Sequence, residues 1–231
     1  QNVRRKYRRR DNQDVRNYKI MPLTLISTHN VTSAVSTLDI TSGLDSTYDV
    51  YEFHCYNLVT GTAWDGKFGF QFNADGQSGF NEVITSTMNT INHNESGSSH
   101  NWNYNNAWDI GQANENIVDQ AQGTLYQAVN RGQFSDTSGD DGYTPDPTDY
   151  LVADGTSCGI ITLYNPASTT YIKGFTADFN TMGGVKLVAN IHSFHSYVAG
   201  YVNTTSALDE ISFKYHNGTF GSGTIYMYGV S

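Results

Sequence analysis

Residues 67–74 read KFGFQFNA, with Phe68, Phe70, Phe72 and Ala74 on one side of the chain and Gly69, Gln71 and Asn73 on the other. Successive side chains on a β-strand point to opposite faces, so apolar residues at every second position predict a strand with one face in a core and one in water. EISFKYH at 210–216 repeats the pattern, with Ile211, Phe213 and Tyr215 opposite Ser212, Lys214 and His216. Neither stretch shows the three-to-four-residue spacing of a helix.

Working outward, strands are predicted at 34–40, 48–59, 83–91, 123–129, 159–164, 170–179, 185–202 and 223–230, separated by Gly, Asn, Asp and Ser. Turn signals roughly every ten residues suit an all-β fold, an antiparallel β-sandwich of jelly-roll type with about eight to eleven strands. Composition agrees: 16 Tyr, 11 Phe and 22 Gly with only 15% charged residues favour half-buried pleated surfaces joined by tight turns. Beyond the NGTFGSG turn, Ile225 and Met227 alternate on a further strand, which is expected to pair with 211–215 as a hairpin sharing one apolar face. The pattern lapses over 92–120 and 132–149, which read as long loops, the first with a short helix near 114–121.

Charge divides the chain. The first 20 residues hold eight of the 13 Lys and Arg (Arg4, Arg5, Lys6, Arg8, Arg9, Arg10, Arg16, Lys19) against Asp11 and Asp14, a net of +6. The other 211 hold five against 20 carboxylates, a net of −15. Such asymmetry marks an interaction tail. The reading is therefore a basic arm, 1–21, and one sandwich domain, 22–231, with the arm docked on an acidic protein surface rather than on nucleic acid. Residue 1 is Gln and Met21 stands where the β pattern begins, which leaves the origin of the arm open. No apolar run approaches the ~18 residues of a membrane span, and no apolar segment of a signal peptide follows the basic start. A soluble chain with no secretion signal is expected.

Candidate chemistry is sparse. GTSCG at 155–159 matches the Gly-x-Ser-x-Gly elbow of hydrolases, but that motif needs a helix after the serine, and GIITLYNP reads as a strand; Ser157 is expected in a plain turn. Asp136, Asp140, Asp141, Asp146 and Asp149 form an acidic loop whose spacing does not fit a calcium-binding hand. His192 and His195, three apart, should face opposite ways on a strand, and His93 and His100 fall in a loop with no cysteine nearby, so no metal or other cofactor is expected. Cys55 and Cys158 read as free, buried thiols, although spacing alone leaves a pairing open. Carboxylate pairs for glycoside hydrolysis have no local signature. The best candidate for recognition is the cluster Trp102, Tyr104 and Trp108 among asparagines, since aromatic planes flanked by amides suit sugar rings and protein surfaces alike. The competing reading has Trp102 and Trp108 anchoring the loop back onto the sandwich, the usual fate of large aromatics.

The stretches TSGLDSTYDVYEF, FNADGQSGFNEVITST, LYNPASTTYIKGFTADF and VAGYVNTTSALDEISFKYHNGTFGSGTIYMYGV resemble a family of virion structural proteins of tailed bacteriophages, frequent in marine and cyanobacterial phages. The resemblance covers most of 22–231 and leaves the arm outside. It brings no enzyme motif, and implies a non-enzymatic building block of the virion, assembled in the host cytoplasm and repeated as a homo-oligomer beside other capsid or tail proteins, away from membranes. The expectation is a capsid decoration or cement subunit fastened by its arm. The alternatives are a tail-fibre or receptor-binding module for host glycans, and a jelly-roll capsid subunit whose arm binds packaged genome.

Overall fold

A computed structural model of the protein describes residues 22–32, 34–61, 66–98, 100–104, 126–130, 155–185, 190–216 and 218–231. The arm cations Arg4 to Lys19, Trp108, the acidic loop and the predicted helix near 114–121 lie outside the described residues.

The described residues form twelve strands and no helix: β1 (Leu23–Val31), β2 (Thr37–Ile40), β3 (Val50–Thr60), β4 (Phe68–Ala74), β5 (Ile84–Asn94), β6 (His100–Tyr104), β7 (Gln127–Ala128), β8 (Ser157–Tyr164), β9 (Lys173–Val185), β10 (Asn190–Val202), β11 (Leu208–Tyr215) and β12 (Phe220–Val230). Every pairing between them is antiparallel, giving an eight-stranded sheet β1-β12-β3-β8-β9-β10-β5-β6 and a four-stranded sheet β2-β11-β4-β7. The two sheets pack as an antiparallel β-sandwich.

Alternation builds the core. The large sheet turns Tyr51, Phe53, Cys55, Ile161, Leu163, Phe175, Phe179, Val198, Ile225 and Met227 inward, and the small sheet answers with Phe68, Phe70, Phe72, Ile211, Phe213 and Tyr215. Phe68 is the hub: its ring stacks on Phe213 at 5.7 Å and 10°, and meets Phe179 at 5.8 Å, Tyr215 at 5.7 Å and Phe220 at 6.0 Å. Offset and edge contacts of this kind suit the ring quadrupole and add to area burial. Room for the Phe179 ring comes from Gly159 across the strand pair, where a Cβ would collide with that ring and with the Asp178 carbonyl oxygen.

Three expectations are corrected. The strands at 211–215 and 225–227 do not form a hairpin: β11 pairs with β2 and β4 in the small sheet, whereas β12 pairs with β1 and β3 in the large one, so their apolar faces meet across the core. The expected loop at 92–120 begins as a hairpin, because β5 runs on to Asn94 and β6 pairs back along it from His93↔His100 to Asn89↔Tyr104. The second face of the small sheet is also not in water. All seven residues of β4 are buried, and Ser212 is 0% exposed, because Tyr126 lies against that side: its hydroxyl donates to Ser212 Oγ at 2.7 Å, and its ring sits 4.2 Å from the Lys214 ammonium. Gln71, fully buried there, donates to the Glu82 carbonyl at 3.0 Å and accepts the Phe72 N–H at 2.8 Å. Among the described residues, the broad surface that stays open is the outer face of the large sheet.

Lys173 is a feature that sequence reading passed over. Its side chain is buried, and its ammonium donates to the carbonyls of Thr204 at 3.2 Å and Ser206 at 2.5 Å. Burial lowers its pKa, and the negative charge of Glu82 opposes that shift. It ties the 203–207 connection to the start of β9.

Candidate functional site

Register across the large sheet places one row of outward side chains on all eight strands: Thr28, Tyr226, His54, Ile160, Asp178, Tyr197, Asn89 and Tyr104. The adjacent row runs Leu25, Tyr228, Glu52, Thr162, Thr176, Ala199, Thr87. On its other side run Cys158, Asn180, His195, Ile91 and Trp102. Rings on this face hold one another in place, with Tyr56 edge-on to Tyr226 at 5.7 Å, His54 against Tyr228 at 4.8 Å and His195 against Tyr197 at 4.1 Å.

The face is not flat. A trough of about 440 Å³ has Thr162, Thr176, Ala199 and Thr87 along one row and Ile160, Asp178, Tyr197 and Asn89 along the next, with Glu52 at its β3 end. A shallower hollow of about 730 Å³ lies among Asn30, Tyr56, Asn57, Thr224, Tyr226 and Tyr228. Asn57 closes a bulge in β3 with φ of 50°, a conformation asparagine tolerates better than most residues. Two carboxylates face outward and each meets an imidazole: His54 Nε2 lies 2.7 Å from Glu52 Oε2, and His195 Nε2 lies 2.5 Å from Asp178 Oδ1. Among the described residues the cations are Lys67, Lys173 and Lys214, and none of them lies on this face.

The structure sorts the sequence candidates. Trp102 and Tyr104 stand on β6, 71% and 55% exposed, so Trp102 does not anchor a loop to the sandwich. Ser157 is neither in a turn nor accessible: it opens β8, is 0% exposed, accepts from Asn130 Nδ2 at 2.8 Å and shares a 2.8 Å hydrogen bond with Thr181. Asn130 Oδ1 in turn accepts the Phe68 N–H at 2.9 Å. Ser157→Ala is therefore expected to cost about 1–2 kcal/mol in urea denaturation, because it removes the buried hydrogen bonds to Asn130 and Thr181. A serine-directed probe should fail to label Ser157 in the folded protein, and stoichiometric labelling of that residue would contradict this placement.

Both cysteines are free, but only Cys55 is buried; Cys158 is half-buried on the outer face, where its sulfur accepts the Asn57 N–H at 3.3 Å. Burial pushes the Cys55 thiol pKa far up, with the neighbouring Cys158 adding to the shift. His93 and His100 are cross-strand partners with rings stacked at 6.2 Å, not loop residues. His192 and His195 do face opposite sides, His192 stacking on buried Phe194 at 5.4 Å. Among the described residues, no group of three or more His, Cys, Asp or Glu gathers as a metal site would require.

Sequence reasoning missed Tyr197, Tyr226, Tyr228, Tyr56, Glu52 and Asp178. A signal was present: in IYMYGV and YEFHCY, large apolar or aromatic residues occupy both phases of the alternation, so some must point away from the core. Comparison with known proteins adds no relative: no protein family, no curated protein and no solved structure matches the chain.

Proposed function

We propose that the chain is a non-enzymatic structural subunit of a tailed-phage virion, of the decoration type, fastened to neighbouring virion proteins by its basic arm and presenting the outer face of the large sheet for recognition. The observation that carries this reading is the eight-strand-wide open face, where exposed aromatic rings alternate with amides, hydroxyls and imidazole-bound carboxylates. An open, water-bathed face suits adhesion better than chemistry, which gains from enclosure. Repetition in a particle would convert weak single contacts into strong attachment.

Deleting residues 1–20 should leave a soluble domain with nearly unchanged thermal stability, since every described strand lies beyond them, while abolishing incorporation into particles. Normal copy numbers of the truncated protein in purified virions would overturn the fastening role. Attachment of the full chain should also weaken as salt is raised, because exposed charge pairs are screened within about 10 Å at 0.1 M.

A second reading, a tail-fibre or receptor-binding module, is favoured by the solvent-facing Trp102 and Tyr104 at the β6 edge. The two readings share the recognition face and differ in where the particle carries it.

A further inference from the structure

We infer that the trough across β8, β9, β10 and β5 is a binding groove for a neutral polysaccharide chain. The inference rests on the reading of the outer face as a recognition surface, and supplies the chemical class of its ligand.

The floor and banks carry the argument. Thr162 supplies a hydroxyl able to donate and accept, Thr176 one that it shares with the Tyr164 hydroxyl at 3.3 Å, and Thr87 an acceptor whose proton goes to the Ala199 carbonyl at 3.4 Å, while the Asn89 amide can do both. Sugars present the same alternation of donors and acceptors. Tyr197, 45% exposed, and Ile160, 38% exposed, rise from one bank as the apolar surfaces on which the C–H face of a pyranose ring would rest. Ala199 keeps the opposite bank low beside Tyr197, since its methyl is the smallest side chain in the row of Thr162, Thr176 and Thr87. The trough is open and crosses the strands, so a chain would lie through it rather than end in it. At about 440 Å³ it falls within the range of small-ligand sites.

Charge selects within the class. Glu52 and Asp178 would repel phosphate, sulfate and uronate groups, and among the described residues no Lys or Arg stands on the face to offset them. This argues against nucleic acid and against acidic polysaccharides. Each carboxylate is already held by an imidazole, His54 or His195, so the trough offers fixed acceptors for sugar hydroxyls more than an open negative site for a basic peptide.

The test is a microarray of neutral and acidic bacterial surface polysaccharides probed with the full-length protein, multimerised on beads. Retention on neutral spots is expected, reduced about tenfold or more by Tyr197→Ala, which removes a ring, and by Ala199→Trp, which fills the trough without removing any of its contacts. Gln77→Ala, in the exposed connection after β4 and off the large sheet, should bind as the wild type does. Circular dichroism of each variant would show the wild-type fold. Retention of no polysaccharide, retention of acidic ones as strong as of neutral ones, or binding indifferent to both trough variants would overturn the inference. If the protein occupies the particle surface as proposed yet retains no neutral polysaccharide, the groove assignment fails alone; absence from the particle would remove the reading beneath it.

Discussion

Truncation after Gly218 should yield aggregated protein rather than a smaller folded domain. The lost segment carries β12, which lies between β1 and β3 in the large sheet and pairs with both over most of its length. Its removal would strip Phe220, Ile225 and Met227 from the core, each 0% exposed, and uncover the facing side of Phe53 and Cys55. It would also leave two unpaired strand edges inside what had been a continuous sheet, and such edges template association with other chains. At roughly 1.5–3 kcal/mol per buried large apolar side chain, the lost burial alone rivals the whole stability of a typical domain. Size-exclusion chromatography and urea denaturation decide the matter. A monomeric truncated protein with a cooperative unfolding transition would show that β12 is dispensable and the sheet order wrong.

Phe213→Ala should cost about 3–5 kcal/mol, whereas Lys214→Ala, one residue on, should cost about 1 kcal/mol or less. The phenyl ring of Phe213 is fully buried, stacked on Phe68 at 5.7 Å and edge-on to Phe53 at 5.7 Å, so its loss opens a cavity where the two sheets meet. Lys214 points the other way, half-buried, with its ammonium over the Tyr126 ring. Burial lowers the pKa of that ammonium, so the cation–π contact is partly offset by lost hydration. Urea denaturation of both variants under one set of conditions gives the comparison. Equal losses at the two positions would mean that β11 has its faces reversed.

How much of this was legible in the sequence follows from what period-two alternation can report. It reports which face of a strand is apolar, so the inward residues of β4 and β11 were readable directly. It does not report the partner. Ile211 and Ile225 carry the same signal and sit 14 positions apart, yet their strands joined opposite sheets, because a sandwich lets two apolar faces meet across the core as readily as side by side. The β5–β6 hairpin escaped for a different reason: NHNESGSSHN is polar on both faces, its ladder is fixed by backbone hydrogen bonds, and the alternation of Trp102 and Tyr104 beyond it is too short to mark a strand.

Buried polar side chains were illegible too. Gln71 and Ser212 read as water-facing and Ser157 as a turn residue, Lys173 drew no reading, and each is buried with a hydrogen-bond partner from another segment. The outer face of the large sheet was half legible. Trp102 and Tyr104 were singled out as residues in a loop, and the structure keeps them exposed while moving them onto a strand. The row from Tyr226 to Tyr197 exists only once register aligns five strands far apart in the chain, so no local reading could assemble it.

The central claim is that this domain rides on a virion with the outer face of its large sheet turned to the surroundings. Cryo-electron microscopy of the intact particle tests it most directly. The account predicts domain density on the particle exterior, with Tyr197, Tyr226 and Trp102 toward solvent and density for the basic arm running into a neighbouring protein. Absence of the domain from the particle, a position inside against the genome, or a large sheet whose outer face is buried against the shell would contradict it.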